Sequence, residues 1–111
     1  VLKEEDAKRR PEFVRAYVEA SLEGLRYARD HQEDALKILL KHKPELDPYL
    51  ATVQLKNALT EVFLPPESIH SGMGYMRPDI TEKTVKVVNE FFDIGRKVTA
   101  KEAFINQFIK R

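Results

Sequence analysis

The chain has 111 residues, 42% of them hydrophobic and 33% charged, with formal net charge +1. That length allows one domain with one modest core, and the composition is that of a folded chain, not a disordered one. The absence of cysteine excludes disulfides, thiolate nucleophiles and cysteine-zinc sites, and the near-neutral, interspersed charge excludes a large single-sign field.

The first ten residues are Val-Leu-Lys-Glu-Glu-Asp-Ala-Lys-Arg-Arg. They lack the apolar stretch of a signal peptide. The chain starts with Val, which raises the expectation of a processed product or a piece of something longer. Glu4-Glu5-Asp6 reads as solvated surface and Lys8-Arg9-Arg10 as a short basic cluster. Neither this cluster nor Lys41-His42-Lys43 forms the continuous basic stripe with interleaved aromatics that nucleic acid needs, so no nucleic-acid partner is expected.

Pro11 suits a first helical position, where its missing N–H is not needed. Val14, Val18, Leu22 and Leu25 follow at helical spacing, flanked by Phe13 and Tyr17, and predict a helix over 11–29. Gly24 lies inside it and weakens it by about 1 kcal/mol relative to Ala. A second helix over 32–43 opens with Gln32-Glu33-Asp34, whose acids suit the positive helix end, and stops before Pro44. Asp47-Pro48 pairs a capping residue with a first-position proline. The helix it opens, over 48–63, carries Ala51, Leu55, Ala58, Leu59 and Val62, and Pro65-Pro66 stops it.

Residues 67–78 read as a loop, with Gly72 and Gly74 allowing a reversal between helices. Asp79 as cap with Glu82 as its reciprocal partner predicts a helix over 80–94, faced by Ile80, Thr84, Val87, Val88, Phe91 and Phe92. Gly95 suits the left-handed position after its end. Thr99 and Glu102 form a second capping box and open a last helix over 100–110 with Phe104, Ile105, Phe108 and Ile109 on its face. The expectation is thus an all-α chain of about five helices, residues 1–111 as a single helical domain or fragment, with no period-two strand pattern.

Residues able to carry chemistry are sparse. His31, His42 and His70 stand at no metal-ligand spacing to one another, and Ser21, Ser68 and Ser71 lie in no nucleophile elbow. Glu33-Asp34 sits on a polar helix face. Gly72-Met73-Gly74 is not a dinucleotide fingerprint, because no strand precedes it and no Lys-Ser/Thr follows. Catalytic residues, metal ligands and cofactors are therefore expected to be none, and ligand-binding residues are not assigned.

The order of features carries a resemblance. Pro11-Glu12-Phe13-Val14-Arg15-Ala16-Tyr17-Val18-Glu19-Ala20 opens a helix, and Gln32-Glu33-Asp34-Ala35-Leu36 the next. Lys43-Pro44-Glu45-Leu46, the loop Ser71-Gly72-Met73-Gly74-Tyr75-Met76, Glu82-Lys83-Thr84-Val85 and Ala103-Phe104-Ile105-Asn106-Gln107-Phe108-Ile109 follow. From residue 9 to 109 the chain resembles the C-terminal part of the periplasmic solute-binding family that includes binders of thiamine pyrimidine precursors, alkanesulfonates, taurine and nitrate. Gln32 stands where that family often has Pro, and Phe104-Ile105 replaces the usual Tyr-Thr before Asn106.

The resemblance implies a helical tail of a two-lobe α/β binding protein of an ABC-type importer, periplasmic or anchored outside the membrane. Its partners would be the remainder of the binding protein and, through it, the transporter permease. Most ligand contacts in that family come from the lobes, so no binding residue carries over to this chain. A free-standing helical interaction module is one alternative. A fragment of a thiamine pyrimidine-precursor synthase, which shares the fold and needs a His- and Cys-bearing site upstream, is another. Cut free of its lobes, the chain is expected to form a homodimer through Val88, Phe91, Phe92, Phe104 and Phe108, with 65–78 as hinge.

Overall fold

A computed structural model describes residues 2–63 and 71–110. About 70% of the described residues are helical, and none lies in a strand. The chain is all-α, as its periodicities predict.

Helix α1 (Glu4–Arg9) was not among the expected elements. Its six residues set each acid four positions before a base, and the ion pairs Glu4–Lys8 (2.6 Å), Glu5–Arg9 (2.6 Å) and Asp6–Arg10 (2.5 Å) all form. An acid N-terminal to a base at this spacing stabilises a helix by a few tenths of a kcal/mol per pair. Ala7 supplies the buried contact. What reads as two separate charge clusters is therefore one short amphipathic turn.

Helix α2 (Pro11–Asp30) follows after Arg10, with Pro11 at its first position. One residue, His31, separates it from α3 (Gln32–His42), and α3 ends at Lys43 ahead of Pro44. Arg10, His31 and Lys43 share one backbone conformation, near φ −131 to −134°, that closes one helix and redirects the chain. Helix α4 (Pro48–Asn57) is capped as expected: the Leu50 N–H donates to Asp47 Oδ1 at 2.9 Å. It runs directly into a π-helical turn, Ala58–Phe63. The wider winding of such turns breaks the predicted straight continuation to 63. Leu59 is buried within it and Ala51 before it; the Val62 side chain and Pro65-Pro66 lie outside what is described. The first four helices and the π-turn pack on one another, with α2 touching α1, α3 and the π-turn.

Helix α5 (Pro78–Phe91) begins two residues earlier than Asp79 permits as a cap. Arg77 holds the capping position and Pro78 is the first helical residue, so Pro78 opens the helix instead of closing the loop. The Asp79 carboxylate turns back to the Arg77 guanidinium at 2.7 and 3.1 Å. The helix ends at Phe91, not 94. Gly95 has the expected positive φ of 79°, but in the turn beyond the helix, where its N–H donates to Asp93 Oδ1 at 3.0 Å.

Helix α6 (Ala100–Ala103) has the full capping box, with the Thr99 N–H donating to Glu102 Oε2 at 2.7 Å. It stops after four residues. Phe104, at φ −134° and ψ 135°, is extended, and residues 106–109 then close a turn in which the Ile109 N–H donates to the Asn106 carbonyl at 3.0 Å. The predicted helix to 110 is thus corrected to a single helical turn followed by a non-helical tail.

Among the described residues, α5 and α6 pack on each other and on none of the first four helices. The two groups are joined by the tail and by residues 71–77. Phe108 is buried with Ala7 and Val14, against which Val18 packs. Asn106 bonds both polar groups of the Met76 backbone, accepting from its N–H at 2.9 Å and donating to its carbonyl at 2.8 Å. Gly74, at φ +81°, lies so close to α2 that a Cβ there would stand 3.0 Å from Leu22 Cδ2 and 3.3 Å from Ile109 Cδ1. Lys110 closes the tail on Glu19 of α2 at 2.6 Å.

Candidate interaction surface

Polar residues singled out in the sequence come to rest apart from one another. His31 lies between α2 and α3, exposed, with its ring centroid 4.6 Å from that of Tyr27. The Tyr27 hydroxyl donates to Asp34 at 2.5 Å, a bond that holds the phenol protonated and raises its pKa. His42 ends α3 and is exposed. Ser21 donates to the Tyr17 carbonyl one turn back, at 2.8 Å. Ser71 and Gly72 are half-buried in the turn beside α2. His70 and Ser68 lie outside the described residues.

Among the described residues the carboxylates with perturbed acidity are Glu19, Asp30, Asp79 and Glu102, and all four shift down. Bonding to Lys110, Arg29 and Arg77 lowers the first three, and the Thr99 backbone N–H heads the causes for Glu102. A cation or an N–H donor favours the ionised form. Among the described residues no group of three or more acidic or histidine side chains is placed to hold a metal ion. An open groove of about 450 Å³ runs between α5 and residues 97–100, lined by Glu82, Lys86, Glu90 and Lys97 of mixed sign.

The surface that stands out is apolar. On a helix each residue advances by about 100°. The charged residues of α2 through its fifth turn, Glu12, Arg15, Glu19, Glu23 and Arg26, then fall within roughly 80° of its circumference. Most of the rest is apolar or small. The chain covers only part of that arc: Val14 is buried and Val18, Leu22, Leu25 and Ala28 half-buried. Beside them runs an exposed stripe of Phe13, Tyr17, Ala20, Gly24 and Tyr27, with Phe13 at 60% and Tyr17 at 67% exposure. A Cβ at Gly24 would meet nothing within 4 Å, so no neighbour among the described residues accounts for the glycine.

Helix α5 repeats the pattern. Thr81 and Val85 are buried, and one position back from that line Ile80, Thr84, Val87 and Phe91 form an exposed stripe at the same four-three-four spacing. Phe92 and Ile94 extend it beyond the helix end, and Tyr49, Leu50 and Val53 expose a third apolar face on α4. Of the five residues expected to form an association face, Phe91 and Phe92 are open, Val88 and Phe104 are half-buried and Phe108 is core. Phe108 moves from surface to core because the tail leaves the helix after Ala103 and packs it against Ala7 and Val14. The hinge expected over 65–78 has Gly72 and Gly74 at positive φ; its residues 65–70 lie outside the described part.

No helix among the described residues is long and apolar enough to cross a membrane. Comparison with protein-family models, with curated proteins and with solved structures finds no match. The surface itself therefore carries the functional argument. Single exposed apolar residues are ordinary, whereas contiguous stripes at helical spacing mark a face that another surface covers.

Proposed function

We propose that this chain is the C-terminal helical part of the substrate-binding component of an ABC-type importer for a small organic or inorganic solute. Its task is to cover and brace the lobes, not to form the ligand site. The observation that carries this reading is the apolar arc of α2, far wider than the rest of the chain covers, with the matching stripe on α5. Helices that sheathe a lobe need two apolar faces, one for each other and one for the layer beneath. The order of motifs from Pro11 to Ile109 supports the choice of family.

On this reading the permease meets the chain only through the whole binding protein, which works outside the cytoplasmic membrane. The deciding test is the reading frame upstream of Val1. Two βαβ-type segments, whose strand ends and loops supply the solute contacts, are the expected result. A coiled coil or further helices alone would overturn the proposal. A histidine- and cysteine-bearing site in the upstream lobes would turn it toward the pyrimidine-precursor synthases.

A further inference from the structure

Helix α5 carries a face that no described part of the chain covers. Residues 97–100 pack on its other side, where Asn89 donates to the Val98 carbonyl at 2.7 Å and accepts from the Val98 N–H at 2.9 Å. Ile80, Thr84, Val87 and Phe91 are exposed, Phe91 to 72%. At about 100° per residue they fall within an arc of roughly 60°. The Thr84 hydroxyl already donates to the Ile80 carbonyl at 2.9 Å, so it asks no polar partner of whatever lies against it.

Four-three-four spacing is the seam pattern of paired helices. The two flanks of this seam differ. On one, Thr81 is buried and Val88 half-buried, and neither is charged. On the other stand Lys83 and Glu90, both exposed and within about 60° of the edge of the seam. Neither takes part in an ion pair among the described residues.

Reversed, this pattern is its own complement. Two copies of α5 laid antiparallel about a two-fold axis between residues 85 and 86 set Ile80 against the partner's Phe91 and Thr84 against the partner's Val87. Like flanks meet in such a pair. Side chains lean toward the N-terminus of their own helix, so Lys83 reaches the partner's Glu90 and Glu90 the partner's Lys83. In a parallel pair each charged flank would face the uncharged side of Thr81 and Val88 instead.

We propose that a second copy of this chain occupies the α5 face in this antiparallel register. A two-fold contact of this kind is self-complementary, with each pairing made twice. Phe92 and Ile94, exposed to 63% and 50%, lengthen the apolar surface beyond the helix end. The accessible surface of 9051 Å² exceeds the about 6,300 Å² of a folded monomer of this mass by more than the roughly 800 Å² each partner gives to an ordinary interface. The α2 arc stays open to the lobes proposed above, so the inference goes beyond that reading and neither needs nor removes it.

Charge reversal in the 111-residue chain tests the register. Lys83→Glu and Glu90→Lys each turn two attractive pairs into two repulsive ones. Each alone should weaken dimerisation roughly tenfold at low salt, read by sedimentation equilibrium. An equimolar mixture of the two variants should recover wild-type affinity as a heterodimer, because every flank then meets its opposite. Lys83→Glu with Glu90→Lys in one chain should recover it as a homodimer. Should a single variant lose ellipticity at 222 nm, Lys83→Gln with Glu90→Gln decides: dimerisation should weaken severalfold and lose its salt dependence. A wild type that is monomeric at high micromolar concentration would overturn the proposal. So would a dimer indifferent to these changes, as one held by α2 alone would be, or single variants that do not recover on mixing.

Discussion

Phe108 and Phe91 sit at opposite ends of the exposure scale, at 7% and 72%, although both stand at helical spacing among apolar neighbours. Phe108→Ala should cost about 3–5 kcal/mol, the usual penalty for emptying a buried aromatic site. Phe91→Ala should stay within about 0.5 kcal/mol, as surface changes do, at concentrations low enough to keep the chain monomeric. Urea unfolding of both variants checks the contrast. Sequence spacing could not tell the two apart, because Phe108 owes its burial to contacts with Ala7 and Val14, nearly the whole chain away. Glu19 gives a second residue-scale prediction. Its pKa is lowered, chiefly by the hydrogen bond and charge of Lys110, with a smaller effect of Arg15. A lowered carboxylate contributes stability that is present above its unfolded value of 4.5 and is lost as pH falls through its folded value. Acidification from 5 downward should therefore loosen the tail in the wild type and do less in Lys110→Ala, read from amide exchange at 106–110.

At the scale of elements, what is legible is what local chemistry decides. Pro11, Asp47-Pro48 and the Thr99–Glu102 box start helices where the sequence places them. Asp47→Ala should accordingly cost about 1 kcal/mol, the usual loss for a capping side chain. What is not legible depends on partners outside the element. The three ion pairs of α1 are visible in retrospect as acids four residues ahead of bases, a pattern easily taken for plain surface. The π-turn after Asn57 leaves no mark in an apolar stripe that continues through it. Nor does the early end of α6, beyond which the tail bonds Met76 and packs on α2. Gly24 tests the uncovered stripe itself. It lies in an exposed helix interior with open space around it, so Gly24→Ala should stabilise the isolated chain by about 1 kcal/mol, seen as a higher urea midpoint. If the stripe docks closely on another surface, the same change should weaken that docking.

The whole molecule exposes more than its mass calls for. Its accessible surface is 9051 Å², against about 6,300 Å² for a folded monomer of its mass. Its radius of gyration is 16.5 Å, against about 13 Å for a compact domain of this length. The described residues include few buried apolar side chains, and no large one among them falls below 2% exposure. The excess of about 2,700 Å² is more than the roughly 800 Å² each partner gives to an ordinary interface. It is of the size that a permanent cover removes. If the proposed lobes are that cover, a second copy is what remains to cover the stripes of α2 and α5 in the isolated chain. Sedimentation equilibrium of the isolated chain at high micromolar concentration tests this most directly. The account predicts self-association, reduced by Tyr17→Glu together with Phe91→Glu; a compact, stable monomer would contradict it.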